Sequence, residues 1–499
     1  MANSLKKLAG QTAIYGLSSI IGRFLNYLLV PLYTYKISAA SGGYGVVTNI
    51  YAYTAFLLVL LTFGMETTFF YFANREDVDA NKAFSTSATT VGFVSLLFLL
   101  ICLVFLNPLA TVMGYAAHPE YIAIMATVVA LDAFQAILFA SLRQQNRALK
   151  FVSLKLAFII CNIGLNLFVI LLAPILYEKG WSIMSWYDTS YQVGYIFIVN
   201  LICTAGVTFG FIPELKRLRF GVDFSLLKKM LKYTWPLLLL GVVGILNQVA
   251  DKICYKFIVP GHEGEVQLGI YGACVKIAMF IAIFTQAFRY AYEPFVFGGQ
   301  RDKNSPEMQA VVMKYFVIST MLAFVVVCMY IDILKYLIGP EYWEGLKVVP
   351  IVMMAEIFMG IYFNLSFWYK LNGQTWWGAI FSAIGCATML AINFIFVPKY
   401  GYMACAWGGF AGYFVCMILS YIVGQVKAPV PYKVLPILGY MVLAVGLTIF
   451  SFYCHPDHVV WRLVMNTGLT LVFVAAILFC ERDLVQKVWQ GVRAKLIKK

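Results

Sequence analysis

Ionisable side chains interrupt long apolar stretches of this sequence at Arg23, Glu66, Asp132, Lys155, Asp251, Lys252, Lys256, Lys276, Arg289, Glu293, Glu356 and Lys370. A charge facing lipid costs about 3 kcal/mol or more, so each must line a wet cavity, find a partner, or reach an interface. Arg289 and Glu293 are four residues apart, where opposite charges on one helix can pair. Glu293, Lys370 and Lys155 lie near the ends of their stretches, close enough to extend towards water. Arg23 and Lys276 have neither excuse: no carboxylate stands at helical spacing within their own stretches, and neither is close to an end. Their side chains call for a cavity or for a carboxylate on another helix.

The elements that must hold these groups are transmembrane helices. Of the 499 residues 62% are hydrophobic and 12% charged, against roughly 25% charged in soluble domains. Runs of the length that spans a bilayer, roughly 20 residues, occur at 11–37, 44–73, 83–106, 119–142, 151–174, 191–212, 233–258, 267–296, 309–337, 346–370, 376–398, 402–425, 435–454 and 459–479. They are too long and too evenly apolar for the alternating strands of a barrel. An all-α polytopic membrane protein of about fourteen spans follows.

The formal net charge is +14, and its placement reads as topology rather than nucleic-acid binding. With a cytoplasmic N-terminus, cytoplasmic segments collect Lys6, Lys7, Arg75, Lys82, Arg143, Arg147, Lys150, Lys216, Arg217, Arg219, Lys228, Lys229, Arg301, Lys303, Lys427, Lys433 and the basic tail from Arg482. The opposite loops hold little beyond Lys179 and Lys399. This is the positive-inside pattern, and an even number of spans places both termini in the cytoplasm. Ser38-Ala39-Ala40 resembles a signal cleavage site, yet the apolar run before it is long and contains Arg23. The cysteines form no C-x-x-C pair, and the histidines, His118, His262, His455 and His458, fall in loops without metal-ligand spacing.

The chain divides into two similar halves. The spacing that carries Tyr44-Gly45 onto Tyr271-Gly272 also carries Asn166 onto Asn393. The expected plan is a six-helix lobe over 1–212, a cytoplasmic amphipathic linker over 213–232, a second six-helix lobe over 233–425, and two further helices with the basic tail over 426–499. Transporters built from such repeats place their substrate between the halves near the bilayer midplane. If spans one, two, seven and eight meet there, Arg23, Lys276 and Arg289 line the cavity, with Glu66 and Asp251 among them. That gives a net cationic cavity for an anionic substrate, because guanidinium grips phosphate oxygens in pairs and lysine adds a point charge. An interhelical structural ion pair is the alternative for Arg23 and Lys276.

Several stretches carry a family likeness: Gly22–Thr34, Phe63–Asn74, Gly269–Phe280, Gln286–Phe295 and Leu365–Leu371. In these the chain resembles the polysaccharide flippases of the multidrug/oligosaccharidyl-lipid/polysaccharide exporter superfamily. The resemblance covers spans one to twelve and implies two six-helix lobes, a central cationic cavity and alternating access. It places Arg23, Glu66, Lys276 and Arg289 at cavity positions. Tyr71 departs from relatives that carry a basic residue there.

The expectation is then a non-enzymatic, multi-pass protein of the bacterial inner membrane. It would flip undecaprenyl-diphosphate-linked oligosaccharide for surface polysaccharide such as O-antigen, alone or beside other assembly proteins. Arg23, Lys276 and Arg289 would bind substrate. Glu66 and Asp251 would be the ion-coupling groups, for a proton or sodium gradient, with no bound cofactor or metal. The alternatives are a multidrug exporter, which would favour acidic groups, and a membrane glycan polymerase or ligase. The latter lacks a sizeable outer loop, and its only metal-binding pattern, Asp77-Val78-Asp79, sits in a short charged turn.

Overall fold

The computed structural model of the chain describes residues 25, 27–218, 221–297, 306–454 and 456–482, with the backbone alone at 290, 291 and 293–297. Arg23, His455, the Glu293 side chain and nearly all of the basic tail lie outside the described residues. Every regular element among the described residues is helical, as the bilayer demands of a chain whose backbone groups must be satisfied within each segment. Among the described residues thirteen helical spans are long and apolar enough to cross a membrane. The first expected span is represented by α1, Leu29–Lys36.

The first bundle continues with α2 (Gly43–Thr62), α3 (Met65–Ala73), α4 (Ala80–Val104), α5 (Pro119–Gln144), α6 (Ala148–Leu167) and α7 (Gln192–Gly210). After a short α8 (Ile212–Arg217) come α9 (Phe224–Ile258), α10 (His262–Phe297), α11 (Pro306–Met329), α12 (Val349–Leu365), α13 (Trp376–Tyr400) and α14 (Tyr402–Lys427). α15 (Val434–Tyr453) and α16 (Val459–Cys480) close the order. The first group packs as α4 on α5 and α5 on α7, the second as α13 on α14 and α12 on α14. Between the groups α2 lies against both α9 and α10.

Two expectations are corrected. The second span is not one helix: α2 stops at Thr62 and α3 begins at Met65, with Phe63 (φ 37°) and Gly64 (φ 74°) both left-handed between them. The amphipathic linker helix over 213–232 is also absent as a separate element. Residues 224–232 are the first turns of α9, which runs unbroken for 35 residues. Asp223 starts it, accepting from the backbone N–H groups of Ser225 and Leu226 at 3.0 Å each, a cap worth about 1 kcal/mol. The carboxylate that closes off the linker is Glu214 on α8, buried against Arg147 (2.6 Å) and Lys150.

The last two helices are docked onto α11 and the segment that follows it at three levels. Glu481 receives Lys314 and the hydroxyls of Tyr315 and Tyr440. Asn466 donates to the Met329 carbonyl at 2.8 Å, and Asp332 pairs with Arg462 (2.7 Å) and Lys335 (3.0 Å).

Candidate functional site

Arg75, Arg143, Lys150 and Lys216 mark the basic end of the bundle, and its opposite is the far end. Small residues let the two groups of helices touch at the far end. A Cβ on Gly45 would stand 1.8 Å from the Glu265 carbonyl oxygen, and one on Gly269 would meet the Gly45 nitrogen at 2.9 Å. Only glycine permits α2 and α10 to cross this closely.

Polar contacts seal the same end. Glu341 accepts from the Ser38 hydroxyl (2.6 Å) and the Ala39 N–H (2.7 Å). Tyr342 donates to the Ile37 carbonyl, and the Gly339 N–H to the Thr34 hydroxyl. Lys256 is held by Glu265 at 2.8 Å, with its ammonium 3.6 Å from the centre of the Tyr115 ring. Lys256, one of the intramembrane charges of the sequence, is thus a fastening between α9 and the 113–118 loop.

Below this seal a cavity of about 560 Å³ lies between the two groups of helices. That is within the span of small-molecule sites, roughly 300–1,000 Å³. Its charged lining is Asp132 from α5, Asp251 and Lys252 from α9, Lys276 from α10 and Glu356 from α12. Lys252 pairs with both oxygens of Asp251 at 3.0 Å, and Tyr271 donates to Asp251 at 2.8 Å. Asp132 accepts a long bond from Thr204, 3.5 Å. Glu356 has one carboxylate oxygen buried with no hydrogen-bond partner among the described residues. Lys276 makes no ion pair with any described carboxylate, and its ammonium is 5.8 Å from the centre of the Tyr27 ring.

The remaining lining is aromatic and amide-bearing, and much of it is fixed by its own hydrogen bonds. Tyr33 donates to Asn166 (3.0 Å), which donates in turn to Asn162. Asn200 donates to the Tyr51 hydroxyl (2.8 Å), and Tyr413 to the Asn247 carbonyl. A preorganised wall of this type offers rings and hydroxyls to a polar ligand without a further ordering cost.

Of the expected site residues the structure therefore brings Lys276 and Asp251 into one cavity. Glu66 is elsewhere: at the start of α3 it pairs with Arg143 towards the basic end and is not part of this lining. Arg289 also lies outside it, with its guanidinium 4.3 Å from the centre of the Phe363 ring. Arg23 is outside the described residues. The expected net cationic lining is not what the described residues make, since three carboxylates face two lysines. Of the two described lysines in the lining, Lys252 is engaged by Asp251 and Lys276 has no described carboxylate paired with it.

Lys155, expected to reach an interface, instead rests 4.1 Å from the centre of the Phe139 ring. Tyr71 stacks on Tyr233 with ring centres 4.5 Å apart and planes within 7°. A positive charge is close by all the same, since the Arg75 guanidinium lies 5.9 Å from the Tyr71 ring centre. Arg75 also pairs with Asp77 at 2.8 Å and holds that exposed carboxyl below its usual range, while Asp79 caps α4. Both carboxylates of the D-x-D pattern are thus in structural use. Among the described residues no three His, Cys, Asp or Glu side chains are grouped to hold a metal.

Sequence reasoning named Glu356 and Asp132 as intramembrane charges but gave neither a role in the cavity. Tyr44 and Tyr271 entered only as markers of the repeat, and Asn162, Asn200 and Asn247 not at all. Asparagine inside apolar runs was the available signal.

Comparison with known proteins agrees with this architecture. Residues 41–345 match the family described as polysaccharide biosynthesis protein. No curated protein matches by sequence. Among solved structures the chain is similar to the lipid II flippase MurJ in an inward closed conformation, with a TM-score of 0.70 at 14% identity, covering 94% of this chain and 99% of that one. It is also similar to an inward-facing multidrug resistance MATE family transporter of the MOP superfamily, with a TM-score of 0.62 at 13% identity, covering 84% and 95%. The MATE multidrug transporter DinF-BH gives 0.60 at 15% identity, covering 84% and 96%. At these identities the likeness establishes a shared fold.

Proposed function

Since the chain belongs to the polysaccharide biosynthesis protein family, we propose that it flips undecaprenyl-diphosphate-linked oligosaccharide from the cytoplasmic to the periplasmic leaflet of the bacterial inner membrane. The observation that carries the reading is Lys276: an ammonium without a described counter-ion, in a cavity between two helical lobes. An uncompensated charge in this setting is costly, and a phosphate oxygen would offset it with a charge-assisted hydrogen bond. Lys252 adjoins it. The Tyr33, Tyr51 and Tyr271 rings with the asparagine side chains suit the sugars. Arg23, which the family likeness assigns to the cavity, would complete the anion site, and the lipid tail would stay in the bilayer.

The transport cycle is alternating access, with the far-end contacts released when the cavity opens to the periplasm. Coupling to protons or sodium falls to Asp251, and Glu356 replaces Glu66 as its companion because Glu66 is neutralised by Arg143 outside the cavity. When phosphate draws Lys252 away from Asp251, that carboxylate joins Glu356 in lacking a paired cation, and one of these two favours a bound proton or sodium.

The test is flipping in proteoliposomes loaded with a lipid-diphosphate oligosaccharide. Lys276→Ala with Lys252→Ala is expected to abolish uptake while the protein remains folded; unchanged flipping by that variant would remove the mechanism. The three carboxylates favour one rival, export of cationic drugs. Energy-dependent efflux of a cationic dye that Glu356→Gln abolishes would establish it. Against a polymerase or ligase stands the engagement of Asp77 and Asp79, and a purified protein that leaves glycan length unchanged separates that case.

A further inference from the structure

The break in the second span faces an irregularity in the other lobe. Phe63 and Gly64 interrupt the helix with two left-handed residues, a conformation that strains phenylalanine and suits glycine. Breaking a helix within the membrane frees backbone carbonyls, and the cost of leaving one unpaired is high. The Phe63 carbonyl is satisfied from outside its own helix: the buried Thr234 hydroxyl on α9 donates to it at 2.8 Å. Two residues further along α9 is Pro236, inside the helix. Proline has no N–H, so the turn before it loses a hydrogen bond and bends more easily. A Cβ on Gly64 would stand 3.1 Å from both Thr234 Oγ1 and the Leu237 Cβ, so the two irregular points are in contact. On the basic-end side the Tyr71–Tyr233 stack joins the same two elements.

We infer that Phe63–Gly64 and Thr234–Pro236 form one hinge at a single level, about which the far-end portions of α2 and α9 separate while α3 and the start of α9 stay joined. The contrast between the two ends supports it. Beside the buried bonds of Tyr342 and Gly339, the far end is closed by exposed contacts whose groups can exchange them for water, Glu341 with Ser38 and His262 with the Ala40 carbonyl. The basic-end contact of α3 with α9 is an exposed stacked pair and a part-buried hydrogen bond from Thr234 that serves a carbonyl with no helical partner. The first is suited to release, the second to persist. The inference rests on the two-lobe transport reading and adds the place where the lobes turn.

Paired spin labels test it on the full chain in nanodiscs, with exposed Cys161, Cys454 and Cys480 replaced by serine. One pair, Ser41→Cys with Glu263→Cys, spans the far end; the other, Phe70→Cys with Leu231→Cys, flanks the tyrosine stack. The far-end pair is expected to show two distance populations whose ratio changes between acidic and alkaline pH, and the stack pair a single one. Gly64→Val should abolish the second far-end population, and Phe63→Gly should retain it. A stack pair that splits in step with the far-end pair would overturn the hinge, because that contact would then open. A far-end pair with one population at every pH would overturn the transport reading itself, and the hinge with it.

Discussion

By the spacing of the sequence the second and eighth spans correspond, and they are built differently. The spacing that carries Tyr44 onto Tyr271 carries Phe63–Gly64 onto Tyr290–Ala291 and Glu66 onto Glu293. Where the first half has glycine the helix breaks, and where the second has alanine α10 runs through without interruption for 36 residues. The cavity walls differ in the same sense. The second half contributes Asp251, Lys252, Lys276 and Glu356, while the first contributes Asp132 and a wall of tyrosine and asparagine. The second half carries most of the charge, and the left-handed break in a span belongs to the first. On the proposed reading the charged wall binds and the amide wall opposite it plays the lesser part.

The sharpest test of that division sets charge against amide. Removing Lys276 deletes a charge-assisted bond worth about 1.5–3 kcal/mol, so transport should fall roughly 10- to 100-fold. Asn200→Ala on the opposite wall loses a neutral bond of about 1 kcal/mol and should cost roughly fivefold. Initial flipping rates at equal protein level compare the two, and equal losses would mean that the walls share the work.

The next effect is on stability. Gly64→Val places a β-branched residue at a φ of 74° against Leu237 and Thr234, with an expected loss of about 2–3 kcal/mol. Ala291→Gly in the equivalent turn of α10 should cost only about 1 kcal/mol, the propensity difference. Thermal unfolding in detergent distinguishes them, and an Ala291→Gly loss as large as that of Gly64→Val would break the asymmetry. Thr234→Val, which strands the Phe63 carbonyl, is expected to cost about 1–2 kcal/mol, and Thr234→Ser to restore most of it.

The smallest effect concerns the start of α9. Hydrogen bonds from Ser225 and the Leu226 N–H hold the exposed Asp223 carboxylate below its usual range. A carboxyl depressed in the folded state stabilises fully above its unfolded pKa and loses that contribution as pH falls through the lower folded value. Amide protection in the first turn of α9 should therefore decline in acid, below pH about 4, and Asp223→Ala should remove the dependence.

The helices were legible because hydrophobic length alone specifies them, and the charges of the cavity because carboxylates and lysines are rare in lipid. The break at Phe63–Gly64 was not, since glycine is common in transmembrane helices and the hydroxyl that stabilises this one lies 171 residues away. Glu66 read as a cavity group because its partner, Arg143, belongs to another span. Glu356 was visible as a charge, but its unpaired oxygen is a fact of packing. The linker misled for a local reason: its alternating basic and apolar positions suit an interfacial helix, and equally the emerging end of a long one such as α9.

That long helix has a mechanical consequence. From Leu237 to Ile258 it extends about 33 Å beyond the proline, at about 1.5 Å per residue. A rod of this length turning by about 20°, an ordinary transmembrane tilt, displaces its tip by roughly 11 Å. The Asp251–Lys252 pair, about 22 Å along the same rod at about 1.5 Å per residue, moves by roughly 8 Å. One short bend can therefore part the far-end seal and carry the charged pair of the cavity about two-thirds as far, so that opening the seal and reshaping the cavity wall are a single motion of one rod.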